Sequence, residues 1–236
     1  MTRLSFAWLA AFAALFIGLF AGALSALEVQ PLRFTLEPER GQTSTSFVVA
    51  NPRAEPLPFE VRMERRLIAE DGTQTFEPAD EEFIVFPVQG LLQPGATQAV
   101  RVQYVGDIDL EETAGYIVRF AEVPVLDPNI SGIQFAYTFG AALYVKPAGA
   151  EANIVVDEAV SEGGRLTMSL RNTGNDFIVL TRDSLRFRIG EENFRFAPDD
   201  LRELISDSLV APYASRTLVL DIPDLPPGTV TQVTFD

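Results

Sequence analysis

An all-β protein, built as two β-sandwich domains in tandem, is what this sequence predicts. Three observations carry that expectation. From Leu27 onward, apolar and polar residues alternate in short runs. Turn-forming residues interrupt those runs at regular intervals. A Pro147-Ala148-Gly149-Ala150 stretch then divides the series into two parts. Alternation at period two matches the pleat of a strand, and many short strands with regular turns argue for an antiparallel sandwich or barrel.

The first 26 residues are set apart from the rest. Thr2 and Arg3 make a short basic start, an apolar run follows from Leu4 to Leu24, and Ala23-Leu24-Ser25-Ala26 closes it with small residues. This pattern reads as a secretory signal cleaved after Ser25 or Ala26. An uncleaved membrane anchor is the alternative, because the run approaches the roughly 20 residues that span a bilayer. The small-residue exit, where a peptidase would cut, favours the signal. We therefore expect a secreted chain with no stable membrane insertion once the signal is removed.

A first domain is expected over residues 27–147. Its strands read as 28–36, 43–51, 57–68, 73–86, 97–105, 115–124 and 131–146. The breaks carry turn chemistry: Glu39-Arg40-Gly41, Asn51-Pro52, Glu70-Asp71-Gly72 and Gln93-Pro94-Gly95. This series suits an immunoglobulin-like sandwich. Tyr116, at the start of Tyr-Ile-Val-Arg-Phe, stands where such sandwiches often carry a corner tyrosine.

The second domain, 148–236, repeats the pattern. Strands are expected at 152–158, 165–172, 177–181, 185–189, 193–197, 216–222 and 229–235. One short helix is expected at 199–206, capped by Asp199 or Asp200 and facing Leu201, Leu204 and Ile205 inward. We expect this domain to be short of the last strand of a full sandwich.

Composition removes several classes of function. The chain has no His and no Cys. It therefore has no imidazole base, no Ser-His-Asp triad and no ordinary zinc, haem or copper site. Without Cys it has no disulfide, and packing alone must stabilise it. No cofactor and no enzymatic activity are expected. With 18 basic residues against 33 acidic ones, the chain would repel a phosphate backbone, so no nucleic-acid partner is expected. The acidic run Asp107-Ile108-Asp109-Leu110-Glu111-Glu112 lacks the spacing of an EF-hand loop and reads as a solvated loop.

One strand differs from its neighbours. In Gly132–Lys146, Ile133, Phe135, Tyr137 and Phe139 share one face, while Gln134, Ala136, Thr138 and Gly140 on the other are small or polar. Two readings are open. The four large residues could all face their own domain's core. Alternatively, part of the row stays exposed on a sheet edge, where another chain could add a strand. In that mode main-chain hydrogen bonds give affinity, and alternating side chains in pockets give specificity.

Several ordered pieces bear on this choice. They are Pro31-Leu32-Arg33-Phe34, Asn51-Pro52, Phe86-Pro87, Leu92-Gln93-Pro94-Gly95, Gln98-Ala99-Val100-Arg101-Val102, Tyr116 through Pro124, the long alternating strand, and Tyr144-Val145-Lys146-Pro147. In order and spacing, over nearly the whole mature chain, the sequence resembles the periplasmic chaperones of the chaperone–usher pathway, which assemble pili and fimbriae. It looks most like their divergent, archaic or spore-coat-like branch.

The resemblance implies an L-shaped pair of immunoglobulin-like domains with a cleft between them. It implies two partners: a pilus or fibre subunit lacking its last strand, and an outer-membrane usher. The long strand would fill the subunit's gap by donor-strand complementation, with Ile133, Phe135, Tyr137 and Phe139 as donor side chains. Arg33 matches the cleft arginine that holds the subunit's terminal carboxylate; on residue chemistry alone it reads as a solvated arginine on an edge strand. Members of the family place a lysine where this chain has Ala142; either Arg33 works alone or another cation substitutes, and Arg119 is the candidate, with a solvated strand residue as the alternative reading of it. Glu122 and Lys146 match positions implied to form an interdomain salt bridge. The alternative function is an extracellular immunoglobulin-like binding module or adhesin-type fibre component. A carboxylate-based hydrolase is a third class.

Overall fold

The computed structural model describes residues 26–124 and 135–236. The expected signal, apart from Ala26, and the expected beginning of the long strand at 131–134 lie outside the described residues.

The first half folds into ten strands among the described residues: β1 (Glu28–Gln30), β2 (Arg33–Leu36), β3 (Ser44–Ala50), β4 (Leu57–Ile68), β5 (Gln74–Pro78), β6 (Phe83–Phe86), β7 (Gln89–Leu92), β8 (Thr97–Tyr104), β9 (Ala114–Glu122) and β10 (Thr138–Val145). A four-stranded sheet has the order β1-β3-β8-β6. A six-stranded sheet has the order β2-β10-β9-β4-β5, with β7 paired to β4. The two sheets face each other through their alternating apolar residues. Phe47 and Val49 of β3 and Val100 and Val102 of β8 meet Phe59, Val61 and Met63 of β4, Val118 and Phe120 of β9, and Leu143 and Val145 of β10. The rings of Phe47 and Phe120 touch across this core, with centroids 5.7 Å apart.

Two expected strands each divide between the sheets. The stretch 28–36 becomes β1 in one sheet and β2 in the other. Pro31 has no N–H to continue the ladder, so the break falls there. The stretch 73–86 becomes β5 and β6, separated by a 3-10 turn at Asp80–Glu82. Asp80 Oδ1 accepts the Met63 N–H at 2.9 Å, which ties that turn to β4 while the chain crosses between sheets.

The second half contains β11 (Ile154–Glu162), β12 (Arg165–Asn172), β13 (Ile178–Val179), β14 (Leu185–Ile189), β15 (Glu192–Phe196), helix α1 (Pro198–Leu204), β16 (Leu209–Val210), β17 (Ser215–Asp221) and β18 (Gly228–Phe235). Its main sheet has the order β15-β14-β18-β11-β12-β17, and β13 pairs with β16. Leu166, Met168, Leu170, Phe187, Leu201, Leu218 and Leu220 form a core separate from the first. Helix α1 starts one residue earlier than expected, with Ala197 and not an aspartate at its N-cap; Asp200 reaches back from the third helical position, its Oδ2 accepting the Ala197 N–H at 2.8 Å, and Leu201 is fully buried. The architecture is thus all-β, two sandwiches in tandem.

Both sandwiches use the same buried asparagine device. Asn51 donates through Nδ2 to the carbonyls of Glu55 and Leu92, and its Oδ1 accepts the Arg53 N–H. Asn172 donates to the carbonyls of Asp176 and Ala211, and its Oδ1 accepts the Gly174 N–H. Each stands at the end of a strand and fastens the next loop to the sandwich (a turn in which side chain replaces main chain).

Candidate functional site: an open strand edge beside an arginine-lined cleft

The long strand is covered along only part of its length. On one side, β10 pairs antiparallel with β9, from Thr138 opposite Ala121 to Val145 opposite Ala114. On the other side β2 runs parallel, but only from Ala142 opposite Arg33 to Val145 opposite Leu36. The Tyr137 carbonyl accepts the Glu122 N–H at 2.9 Å, and the Ala142 N–H donates to the Leu32 carbonyl at 2.8 Å. Odd-numbered residues therefore turn their main-chain groups toward β9, and even-numbered ones turn theirs away from it. Before Ala142 no strand among the described residues takes up those outward groups. Ala136, Thr138 and Gly140 present an open edge of the kind proteins ordinarily cover.

The side chains divide at the same place. Ala141, Leu143 and Val145 point into the sandwich core and are buried. Phe139, on the same face, packs half-buried at the core's rim. Tyr137 is 36% exposed and Phe135 is 69% exposed. The apolar row thus begins as core and continues past it into solvent. Ile133 lies outside the described residues.

Glu122 holds the lower end of this edge. Its buried carboxylate accepts the N–H groups of Leu27 and Tyr137, both at 3.3 Å, and the Arg53 guanidinium at 2.6 Å. Arg53 also lies over the Tyr137 ring, 5.8 Å from its centroid. The expected Glu122–Lys146 salt bridge is therefore corrected. In the antiparallel β9–β10 pair, Glu122 sits near Tyr137, whereas Lys146 follows Val145 at the opposite end. About eight residues at roughly 3.3 Å each separate the two positions. Lys146 instead pairs with Asp176 of the second sandwich.

The junction between the sandwiches is built around Lys146. Thr113 donates its N–H to the Asn175 carbonyl at 2.9 Å, and Asn175 Nδ2 returns a bond to the Glu111 carbonyl. Phe177 packs edge-on to Tyr144 at 5.3 Å and seats on Gly115, where an added Cβ would come within 3.0 Å of its ring. A second contact lies at the β4–β5 turn. The Thr217 N–H donates to the Glu70 carbonyl at 2.9 Å, and Gln74 Nε2 donates to Asp207 Oδ1 at 2.8 Å. Beneath them Arg216, 5% exposed, donates Nη2 to the Asp207 carbonyl at 2.6 Å, while Nε and Nη1 have no partner. Burial lowers its pKa.

The β2-β10-β9-β4 face that meets Phe177 carries Arg33, Arg62, Arg66 and Arg119, by alternation from Tyr144 and Gly115. The expected cleft cations behave differently. Arg33 lies over the Tyr144 ring, 4.7 Å from its centroid, directly beside Ala142. It has no carboxylate partner among the described residues. Arg119 lies where expected, on the strand next to β10, but its guanidinium is taken by Glu64, with Nε donating at 2.8 Å. That cross-strand partner could not be read from the sequence. Sequence reasoning also missed Arg66, whose Nη1 donates to the Tyr144 hydroxyl at 3.2 Å.

Tyr116 anchors the domain interior. Its hydroxyl donates to Glu82 Oε2 at 2.6 Å and accepts from Arg65 at 3.0 Å. Burial, and then the bond to Glu82, push its pKa well above the usual phenol range. No group of His, Cys, Asp and Glu suited to a metal ion occurs among the described residues. No helix among them is long and apolar enough to cross a membrane.

Two tandem β-sandwiches are the fold of solved chaperones of fimbriae and pili. Three solved structures illustrate the likeness. The class 5 fimbriae chaperone CfaA matches with a TM-score of 0.57 at 14% identity, over 89% of this chain and 98% of that one. A chain of the CsuC–CsuE chaperone–tip subunit pre-assembly complex, from the archaic chaperone-usher Csu pili of Acinetobacter baumannii, matches with a TM-score of 0.55 at 13% identity, over 82% of this chain and 90% of that one. A chain of the Salmonella enterica complex between SafA pilin and the SafB chaperone matches with a TM-score of 0.54 at 17% identity, over 86% and 87%. No family model matches the chain, and no curated protein is similar to it in sequence.

Proposed function

We propose that this protein is a periplasmic assembly chaperone for pilus or fibre subunits. It acts by lending its β10 edge to a subunit that lacks its last strand, and it delivers that subunit to an outer-membrane usher. The observation that carries the reading is the half-covered state of β10. Its apolar face leaves the core at Phe139 and continues into solvent at Tyr137 and Phe135, while no strand among the described residues lies against the adjoining main-chain groups. A partner strand on that edge would gain main-chain hydrogen bonds, and Ile133, Phe135, Tyr137 and Phe139 would fill its incomplete core.

Arg33 supports the register. A guanidinium can grip a carboxylate through two parallel hydrogen bonds, so a subunit's terminal carboxylate seated at Arg33 would fix where its strand lies along β10. Register decides which side chains enter the subunit. No catalytic step is assigned to any residue.

The test is co-expression in a bacterial periplasm with a fibre subunit lacking its last strand. The subunit is expected to be recovered soluble, in a one-to-one complex with this protein. Equal recovery of soluble subunit without it would overturn the proposal.

A further inference from the structure

We infer that Arg66 is the second carboxylate-binding residue of the cleft, acting with Arg33 across the Tyr144 ring; this rests on the proposed carboxylate anchor. Four arginines lie on the sheet face toward the junction, and two of them are neutralised locally. Arg119 pairs with Glu64, and Arg62 pairs with Glu60 at 3.2 Å. Arg33 and Arg66 have no carboxylate partner among the described residues. Both converge on one buried tyrosine: Arg33 stacks over the ring of Tyr144, and Arg66 donates to its hydroxyl. Arg66 Nε is buried and finds no acceptor.

Two unneutralised guanidinium groups on one ring make a local positive site in a chain of formal net charge −15. Such a pair favours an anion, and the guanidinium fork suits a planar carboxylate. The site also lies where an added strand would end. Arg33 is opposite Ala142, the first β10 residue covered by β2, so a strand lying along the open edge must stop there. A chain terminus, and not a side-chain carboxylate in mid-strand, is the group that geometry brings to the two arginines. Tyr144 is the spacer that holds them, and its own burial against Phe177 ties their position to the junction.

The experiment uses a fluorescein-labelled twelve-residue peptide of alternating valine and threonine ending in phenylalanine. It is made with a free carboxylate and as the C-terminal amide, and each is titrated with the whole mature protein by fluorescence polarisation. The wild type is expected to bind the carboxylate form about tenfold more tightly than the amide, in keeping with a charge-assisted pair. Arg33→Ala and Arg66→Ala are each expected to remove most of that preference while leaving amide binding unchanged. Arg66→Lys is expected to restore part of it, because a point charge remains without the fork. If Arg33→Ala abolishes the preference and Arg66→Ala keeps it, the role of Arg66 is overturned and the anchor stands. If the wild type binds both peptides equally, or neither, the anchor itself is overturned.

Discussion

Replacing Phe135 and Tyr137 together by alanine separates what β10 does for its own domain from what it does for a partner. Full burial of a large apolar side chain contributes roughly 1.5–3 kcal/mol. Phe135 is 69% exposed in the free chain, so its burial by a partner leaves about 1–2 kcal/mol to be gained. Tyr137 is 36% exposed, which leaves about 0.5–1 kcal/mol. The double variant should therefore weaken the subunit complex by about 1.5–3 kcal/mol, a factor on the order of 10 to 150 in dissociation constant. The free chain should lose much less. Its losses are the Tyr137 contact with Arg53, about 0.5–1 kcal/mol, and the minor effect of an exposed Phe135. Urea unfolding of the free variant and the dissociation rate of its subunit complex measure the two quantities side by side. A variant that loses as much stability alone as it loses affinity would refute the reasoning, because the two rings would then belong to the domain's own core. Unchanged affinity would refute it equally.

Four further outcomes follow from the packing. Gly72→Ala should destabilise the chain by about 1–3 kcal/mol in urea unfolding, since Gly72 has φ +87° and an added Cβ would overlap the Arg216 guanidinium; Arg216→Met, which removes two unpartnered buried nitrogens, should cost less than the usual penalty for deleting a buried charge. Asn51→Ala should cost about 2–4 kcal/mol by the same measurement, because it leaves the Leu92 carbonyl and the Arg53 N–H without their partner. Stability should fall above about pH 10, the phenol's ordinary pKa, because burial keeps the Tyr116 hydroxyl neutral in the folded chain while the unfolded chain ionises; Tyr116→Phe should flatten that alkaline slope in a pH series of thermal unfolding.

Most of the fold was legible from alternation and turn chemistry. The strand expected at 165–172 appears as β12 over the same residues, and the one at 185–189 as β14. Helix α1 ends two residues earlier than expected, at Leu204, with Leu201 buried as anticipated but with Asp200 bonding back to the Ala197 N–H from inside the first turn instead of standing at the N-cap. What alternation could not reveal is a change of sheet. The pattern of residues 28–36 and 73–86 keeps its period while the chain passes from one layer of the sandwich to the other. Only Pro31 marks the first crossing, and a side chain bonded to a distant strand, Asp80 to Met63, fixes the second. The second half showed the same limit, where β13 shortened to Ile178–Val179 by pairing with β16, a strand without a signal of its own.

The site shows why its apolar half was easier to read than its charged half. An apolar row is a local pattern: four large residues at period two, visible in one stretch of chain. The role of an arginine is decided instead by whichever carboxylate lies across the strand, and that depends on register. Arg119 fell opposite Gly140 as a strand neighbour should, yet Glu64, 55 positions earlier in the chain, neutralises it. Glu122 and Lys146 sit on adjoining strands, yet antiparallel pairing sends them to opposite ends, one to Arg53 and the other to Asp176. With Arg119 and Arg62 paired, the arginines of that face without a carboxylate partner among the described residues are the two that meet at Tyr144. Arg66 carried no sequence signal of this, because its distinction is that no acid among the described residues pairs with it, and that depends on the register of β4, β9 and β10.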